Sequence, residues 1–512
     1  MTHLLGIDIG TSGSKALLVG EDGSVTASAS TEYALSTPRP LWAEQDPEDW
    51  WKATVASVGR VLLESGVAPS DIAGIGLTGQ MHGLVLLDFE GAVLRPCIMW
   101  NDQRTGSQCA AITDKVGLKR ILELTGNPVL PGFTAPKVAW VRENEPEVFG
   151  RVAKVLLPKD YIRYRLTGEF FTEVSDASGT SLLDVARRKW SDEMLAAFEI
   201  PRDWLAEVTE SPEVSASISA DAARSTGLVE GAPVVGGGGD QAAQAVGAGI
   251  IEEGIVSATL GTSGVVFAAS DEYRVEPEGR LHAFCHAVPG QWQLMGVVLS
   301  AAGSFRWYRD VLGEMEMQRA KREGRDSYDL LTEAAAGVPA GCEGLIYLPY
   351  LSGERTPYPD PNARGVFFGL TLRHGKAHMT RAVLEGVTYG LRDSLELMRG
   401  LGIKPRQVRA SGGGAKSPFW LQLLADNFQS EIVTVSGGEG AAYGAALLAS
   451  VGAGIHDDVR AACRTALELT GKTEPGPDAS VYDKYYPHYR ALYPALAPSF
   501  AAVAETVAKE DK

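Results

Sequence analysis

Three glycine-rich turns and one turn centred on a histidine carry the residues of this chain that could do chemistry. The first is Gly6-Ile7-Asp8-Ile9-Gly10-Thr11-Ser12-Gly13-Ser14-Lys15. An apolar segment bearing one acid runs into a turn of glycines and hydroxyls and ends on a lysine. Turn amides and the hydroxyls of Thr11 and Ser12 can bond phosphate oxygens, Lys15 can offset their charge, and Asp8 can hold Mg²⁺ directly or through a water. The GxxxxGK[ST] pattern of a Walker loop occurs nowhere in the chain. The plainer alternative is a polar hairpin turn with Asp8 satisfied by backbone donors. The same tetrapeptide recurs at Gly261-Thr262-Ser263-Gly264, and a phosphate chain gripped from two sides needs two such loops.

The second turn is Gly236-Gly237-Gly238-Gly239-Asp240-Gln241-Ala242-Ala243. Glycines let a ligand approach the backbone closely, and an aspartate at the mouth of a helix can serve as general base toward a hydroxyl. Asp240 can equally be the N-cap of a helix beginning at Gln241. Gly237-x-Gly239-x-x-Ala242 also fits a relaxed dinucleotide fingerprint, which would make the chain an NAD-dependent dehydrogenase. That reading requires an acid about 20 residues on, at the end of the next strand. Ala258-Thr259-Leu260-Gly261 offers none. The third turn, Gly412-Gly413-Gly414-Ala415-Lys416-Ser417-Pro418, precedes a capped helix, so a ring or a phosphate can rest on its backbone; a flexible connector would have the same composition.

Gln80-Met81-His82-Gly83 is the histidine turn. Its polar groups suit sugar hydroxyls, although a lone histidine in a turn is more often a surface residue. Trp100-Asn101-Asp102-Gln103-Arg104 mixes an aromatic with hydrogen-bonding groups, as sugar sites and ordinary loops both do. His282, Cys285 and His286 lack a second ligand pair and read as structural.

Positioning these turns requires a regular scaffold. The repeated tetrapeptide sits each time between two apolar runs, 4–9 and 16–19, then 255–260 and 265–269, and each trio reads as a β-hairpin. Two copies of one hairpin predict two related domains, 1–248 and 249–490, with a small, charged tail over 491–512. Strands are expected over 72–77, 84–88 and 233–236. A helix starts at Asp46-Pro47 and stops before Gly66; others are expected over 380–399, with Val383, Val387, Leu391 and Leu395 on one stripe, and from Ser417-Pro418 to about Phe428. An α/β protein of two domains follows.

Composition bounds the function. With 512 residues the chain exceeds one growing core, and a net charge of -17 disfavours nucleic-acid binding while leaving nucleotides open. The five cysteines are scattered without CxxC spacing, which suits a reducing compartment. The N-terminus has no basic region before its apolar run, and no stretch reads as a membrane span. A cytoplasmic protein with no membrane partner is expected.

The residues at 6–15, 79–83, 100–105, 157–161, 236–241, 261–264, 350–357 and 412–418, in this order and spacing, resemble the FGGY carbohydrate kinases over nearly the whole chain, and among them those acting on D-xylulose. The resemblance implies two ribonuclease-H-like (actin-like ATPase) domains around a central cleft, sugar held mostly by the first and MgATP mostly by the second. Carried over by position, Asp240 is the general base for the sugar's 5-hydroxyl and Asp8 the acid near Mg²⁺. Thr11, Ser12 and Lys15 belong to the first phosphate loop, Gly261 and Thr262 to the second, and Gly413, Gly414 and Ser417 to the adenosine site. Gln80, Met81 and His82 form the sugar turn, where related glycerol kinases place Arg-Glu. D-ribulose or a pentitol is the alternative substrate, a non-catalytic actin-like ATP-binding protein is the alternative class, and the resemblance admits a homodimer.

Overall fold

The computed structural model describes residues 2–436 and 440–510. Among these, two seven-stranded sheets dominate. The first contains β1 (His3–Ile9), β2 (Gly13–Gly20), β3 (Val25–Glu32), β4 (Ile72–Gly79), β5 (Val214–Ser217), β6 (Pro233–Val235) and β7 (Gly238–Gly239). Its spatial order is β5-β6-β4-β1-β2-β3, with β7 also on β4. The second contains β8 (Ile255–Leu260), β9 (Gly264–Ser270), β10 (His282–Cys285), β11 (Trp292–Val298), β12 (Gln407–Ser411), β13 (Glu431–Val435) and β14 (Leu469–Thr473), in the order β10-β11-β9-β8-β12-β13-β14.

Both repeated loops close the antiparallel hairpins expected of them, β1–β2 and β8–β9. The first strand of each hairpin also has a parallel neighbour, β4 for β1 and β12 for β8. Register then delivers the functional residues. Asp8 lies opposite Lys15 on β2 and Thr78 on β4, while Gly239 pairs with Gly79. The carboxyl ends of three parallel strands therefore bring Asp8, Gln80 and Asp240 to one edge, where open α/β sheets place their ligands.

The helices seal each sheet. In α1 (Pro47–Ser65), Asp46 caps by accepting from Glu48 N, and Trp50, Val58 and Val61 are buried against the first sheet. In α7 (Lys376–Gly400, the other helices α2 to α6 being Thr134–Asn144, Pro158–Thr167, Asp240–Gly247, Ala302–Leu312 and Ser327–Ala336) the stripe Val383, Val387, Leu391 and Leu395 is buried in the second core. α8 (Pro418–Phe428) is capped by Ser417.

Two features depart from the sequence reading. α9 (Ala441–Gly452) lies in the chain between β13 and β14 of the second sheet but packs on the first. Its backbone runs so close that a Cβ at Gly6 would stand 1.9 Å from Ala442 O, one at Gly76 1.9 Å from Ala445 O, and one at Gly444 1.7 Å from Ala243 O. The segment from 491, expected as a tail, is to residue 510 the second half of α10 (Ala479–Glu510); residues 511 and 512 lie outside the described residues. Pro487, Pro494 and Pro498 lie inside it, and Tyr482, Tyr486 and Tyr489 recur at helical spacing and bury into the second core. α10 is long and apolar enough to cross a membrane by length and composition alone.

Candidate active site

The first loop is held by side chains. Trp100 Nε1 donates to Thr11 Oγ1 (3.0 Å), Thr11 Oγ1 to Gln80 Oε1 (3.2 Å), and Gln80 Nε2 to Gly10 O (3.3 Å) and Gln45 Oε1 (3.2 Å). Gln45 Nε2 also bonds Thr11 O at 2.8 Å. Gln80 is only 2% exposed, so its amide serves the loop and is turned away from the cleft. Ser12 at the loop tip is exposed, and Lys15 is partly exposed on β2.

Two carboxyls face the cleft. Asp240 opens α4 (Asp240–Gly247); the N-cap is Gly239, and the Asp240 side chain accepts from its neighbour Gln241 N at 2.8 Å. The expected side-chain cap is therefore absent, because Asp240 is already helical and cannot reach back to N–H groups two or three residues on. Burial pushes its carboxyl up to about 6 against those Gln241 bonds. Asp8 is pushed up to about 7, first by burial and then by the charge of Asp240, with Lys15 opposing. One oxygen of Asp8 has no hydrogen-bond partner among the described residues. Two carboxyls this close, one with an unused buried oxygen, suit a cation between them and a phosphate.

The histidine turn is not a surface turn. The His82 ring stacks on Phe133 (centroids 4.4 Å apart, planes 11° apart), and its Nδ1 donates to Gly179 O at 2.7 Å. A Cβ at Gly179 would stand 2.5 Å from that nitrogen, and one at Gly239 would stand 3.0 Å from Met81 Cγ. Met81 and His82 thus lie beside Asp240 on one wall. Segment 354–356 of the second half is held to β11 and the residue after it, Leu299 N donating to Glu354 Oε1 (3.0 Å) and Thr356 N to Val297 O (3.1 Å), and the charge of its Arg355 acts on His82. Burial, with the charges of Lys137 and Arg355, pushes His82 down to about 3, so its ring is neutral. His282 is likewise buried and neutral, bonding Asn127 Oδ1 through Nδ1 at 2.9 Å.

Of the motif 100–104, Trp100 bonds the first loop. Asp102 and Arg104 form a buried pair (2.7 Å) with the guanidinium over Trp42 (3.7 Å). Behind Asp240, the buried Lys159 meets Asp160 (2.8 Å), Glu173 (3.4 Å) and Asp176 (3.4 Å), and Gly239 N donates to Ser175 Oγ (3.1 Å).

The second loop is held by backbone. Gly261 O accepts from Ala302 N (2.8 Å), and Thr262 O accepts from Ala301 N (2.9 Å) and Gly303 N (3.1 Å), which fastens the loop to the start of α5 (Ala302–Leu312). Thr262 and Ser263 are exposed. The third turn follows β12: Gly412 takes φ +84°, where only glycine is unstrained, and a Cβ there would meet Leu260 O at 2.7 Å. Gly413, Gly414 and Ser417 line a cavity of about 290 Å³ with Phe305, Tyr328 and Trp420. The structure therefore gathers the sugar turn, Asp240, Asp8 and the first loop at one sheet edge, and the second loop and third turn at the edge of the other. Phe305, Tyr328, Phe133 and Lys137 were not legible as site residues, since ordinary helix positions bear them; the run Phe133-Thr134-x-x-Lys137 was the signal available.

Residues 3–247 match the N-terminal domain of the FGGY family of carbohydrate kinases and residues 256–453 its C-terminal domain. The chain belongs to this family, and it is an ATP-dependent sugar kinase with the two-domain, actin-like fold. It is 44% identical over 503 residues to a xylulose kinase of Escherichia coli K12, covering 97% of this chain and 100% of that protein. With a xylulose kinase of Klebsiella pneumoniae it shares 46% identity, covering 89% of this chain and 90% of that protein. The crystal structure of xylulose kinase from Rhodospirillum rubrum superposes with a TM-score of 0.91 at 34% identity, covering 98% of this chain and 100% of that one.

Proposed function

We propose that the protein transfers the terminal phosphoryl group of ATP to the 5-hydroxyl of D-xylulose, with Asp240 as general base. The observation that carries the base assignment is the Asp240 carboxyl at the sheet edge, raised to about 6 by burial and in no salt bridge among the described residues. A base is most effective when its pKa lies near the working pH. Relatives named xylulose kinase, at 37–46% identity across most of the chain, support the sugar.

Phosphoryl transfer asks the protein mainly to align the nucleophile and to offset charge that spreads over the phosphate oxygens. In this reading Met81 and His82 position the sugar, Asp240 orients the hydroxyl and takes its proton at a carboxylate oxygen, and Gln80 braces the first loop. The amides of 11–13 and of 261–263, with Thr11, Ser12, Thr262 and Lys15, hold the phosphates from two sides, while Gly413, Gly414 and Ser417 border the adenosine. Asp8 is the residue that would hold Mg²⁺; no group of three or more acidic, histidine or cysteine side chains suited to a metal occurs among the described residues, which fits an ion held largely by the nucleotide. When bound, Mg²⁺ supplies positive charge to the phosphates. Approach of the two halves excludes water and so limits wasteful hydrolysis. The division of the chain at 248/249 is retained for the two halves. A cytoplasmic location agrees with five buried free thiols, and a homodimer is the assembly to be checked by light scattering.

The test is ADP release with MgATP against D-xylulose, D-ribulose, L-ribulose, L-xylulose, glycerol, gluconate, xylitol and D-arabitol. Selective release with D-xylulose is expected. A stronger response to another sugar moves the substrate and keeps the mechanism; no sugar-dependent release from folded, ATP-binding protein overturns both.

A further inference from the structure

His82 has a backbone conformation that its sequence does not favour. Its φ is +71°, in the left-handed region that few residues other than glycine adopt and that their surroundings help to hold. The holding groups are visible. Lys137 Nζ donates to His82 O at 2.9 Å and to Gly132 O at 2.7 Å, and Thr134 Oγ1 donates to His82 O at 3.1 Å. Both donors come from α2 (Thr134–Asn144), which also follows directly on the stacking ring of Phe133.

Lys137 itself is unusual. It is 0% exposed and makes no ion pair among the described residues. Burial without a paired carboxylate pushes its ammonium down to about 7, and an apolar side chain of similar length would fill the space without that cost. A group retained at such a cost, with its donors on the carbonyl of a left-handed residue, is explained by what it holds in place.

The His82 ring shows what that is. A carbonyl accepts, so the nitrogen facing Gly179 O carries the proton, and in the neutral ring Nε2 is left as an acceptor. Nε2 makes no hydrogen bond among the described residues, and it belongs to the turn beside Asp240. An acceptor fixed in direction selects a hydroxyl at one place on a sugar and rejects an analogue lacking it.

We propose that Lys137, seconded by Thr134, is a positioning residue for sugar recognition: it clamps the His82 carbonyl, keeps that backbone left-handed, and so directs Nε2 as an acceptor onto one sugar hydroxyl. The inference rests on the sugar-kinase reading above and adds to it a residue outside the substrate's reach.

The test measures sugar binding calorimetrically without nucleotide, then both Michaelis constants, for wild type, Lys137→Met and Thr134→Val. In Lys137→Met the sugar Kd and KM should rise roughly tenfold or more, with KM for ATP within about twofold and Tm nearly unchanged. Thr134→Val should move the same quantities in the same direction by about threefold. Wild-type sugar affinity in Lys137→Met overturns the proposal. So does a joint rise of both KM values with a lowered Tm, the mark of a merely structural lysine. Should Lys137→Met fail to fold, unaltered sugar affinity in Thr134→Val overturns it instead. Failure of wild type to bind any sugar of the panel is a separate result, seen before any variant is made, and it strikes the substrate reading.

Discussion

Residues 10–13 and 261–264 are the same four amino acids, and each set closes an antiparallel hairpin whose first strand has a parallel neighbour. Around them the two halves diverge. Two residues before the first loop stands Asp8, raised and partly unpaired; two before the second stands Thr259, whose hydroxyl lies 3.1 Å from that of Ser411. The parallel neighbour β4 runs out into Gln80-Met81-His82-Gly83, whereas β12 runs out into Gly412-Gly413-Gly414. The first loop is wired through Thr11, Gln45, Gln80 and Trp100, the second through the amides of Ala301, Ala302 and Gly303. One hairpin geometry thus serves an acidic, side-chain-built half and a neutral, backbone-built half. On the proposed reading, the chemistry that needs charge falls to the first, and grip through N–H groups to the second.

The largest effect should come from the acidic half. Asp240→Ala is expected to lower kcat by about 10³-fold or more while the circular dichroism spectrum stays that of the wild type, and residual activity above a few per cent would remove Asp240 from its role. Next, Asp8→Asn should cost about 10²-fold in kcat, with Thr259→Val, its counterpart in the other hairpin, costing less than about threefold. Equal losses at the two positions would erase the distinction between the halves.

A smaller effect tests the backbone-built loop. A Cβ at Gly303 would stand 2.7 Å from Thr262 O, so Gly303→Ala should push the second loop off its seat and raise KM for ATP about tenfold. Thr262→Val, which leaves the amides alone, should raise it only about twofold; the reverse ranking would show that the hydroxyl and not the backbone grips.

The smallest effect is on stability and carries a sign. The Asp240 pKa lies near 6 when folded, above its ordinary 3.8, so the folded state is penalised wherever Asp240 is ionised. The penalty is complete above about pH 6 and vanishes below the unfolded value, where both states are protonated. Asp240→Asn should therefore raise Tm by a few degrees at about pH 8 and leave it unchanged at about pH 3.5. The same group predicts that wild-type kcat/KM falls as pH drops through about 6, since the base must be ionised.

The hairpins, the capped helices and Asp240 were legible because each rests on local chemistry: alternating apolar runs, a cap residue, a glycine run before a helix. Tertiary choices were not. That Gln80 braces the first loop was not legible, because its bonds run to Gly10 and Gln45, residues remote in the chain. Asp240 reads as a helix cap but begins the helix itself. Phe305 and Tyr328 join Gly413 at one cavity across more than 80 residues of chain, a juxtaposition no spacing reveals. Lys137 sits in a helix where a lysine reads as solvent-facing, and only its burial marks it. α10 was read as a small, charged tail from its end, although the tyrosines of its first half keep a helical interval.

The seat of α9 has a consequence for anyone dividing the molecule. The boundary near 248 looks like a place to cut, with one sheet on either side. Gly6 and Gly76 of the first sheet, however, seat α9 with no room for a single methyl group, and Gly444 of α9 meets α4 as closely. A fragment ending at 248 would leave that trough open and its apolar floor wet; a fragment beginning at 249 would carry the missing strip with nothing to lie on. The two pieces are made to find each other, so complementation of separately expressed halves, and not the behaviour of either alone, is how this chain would answer the scissors.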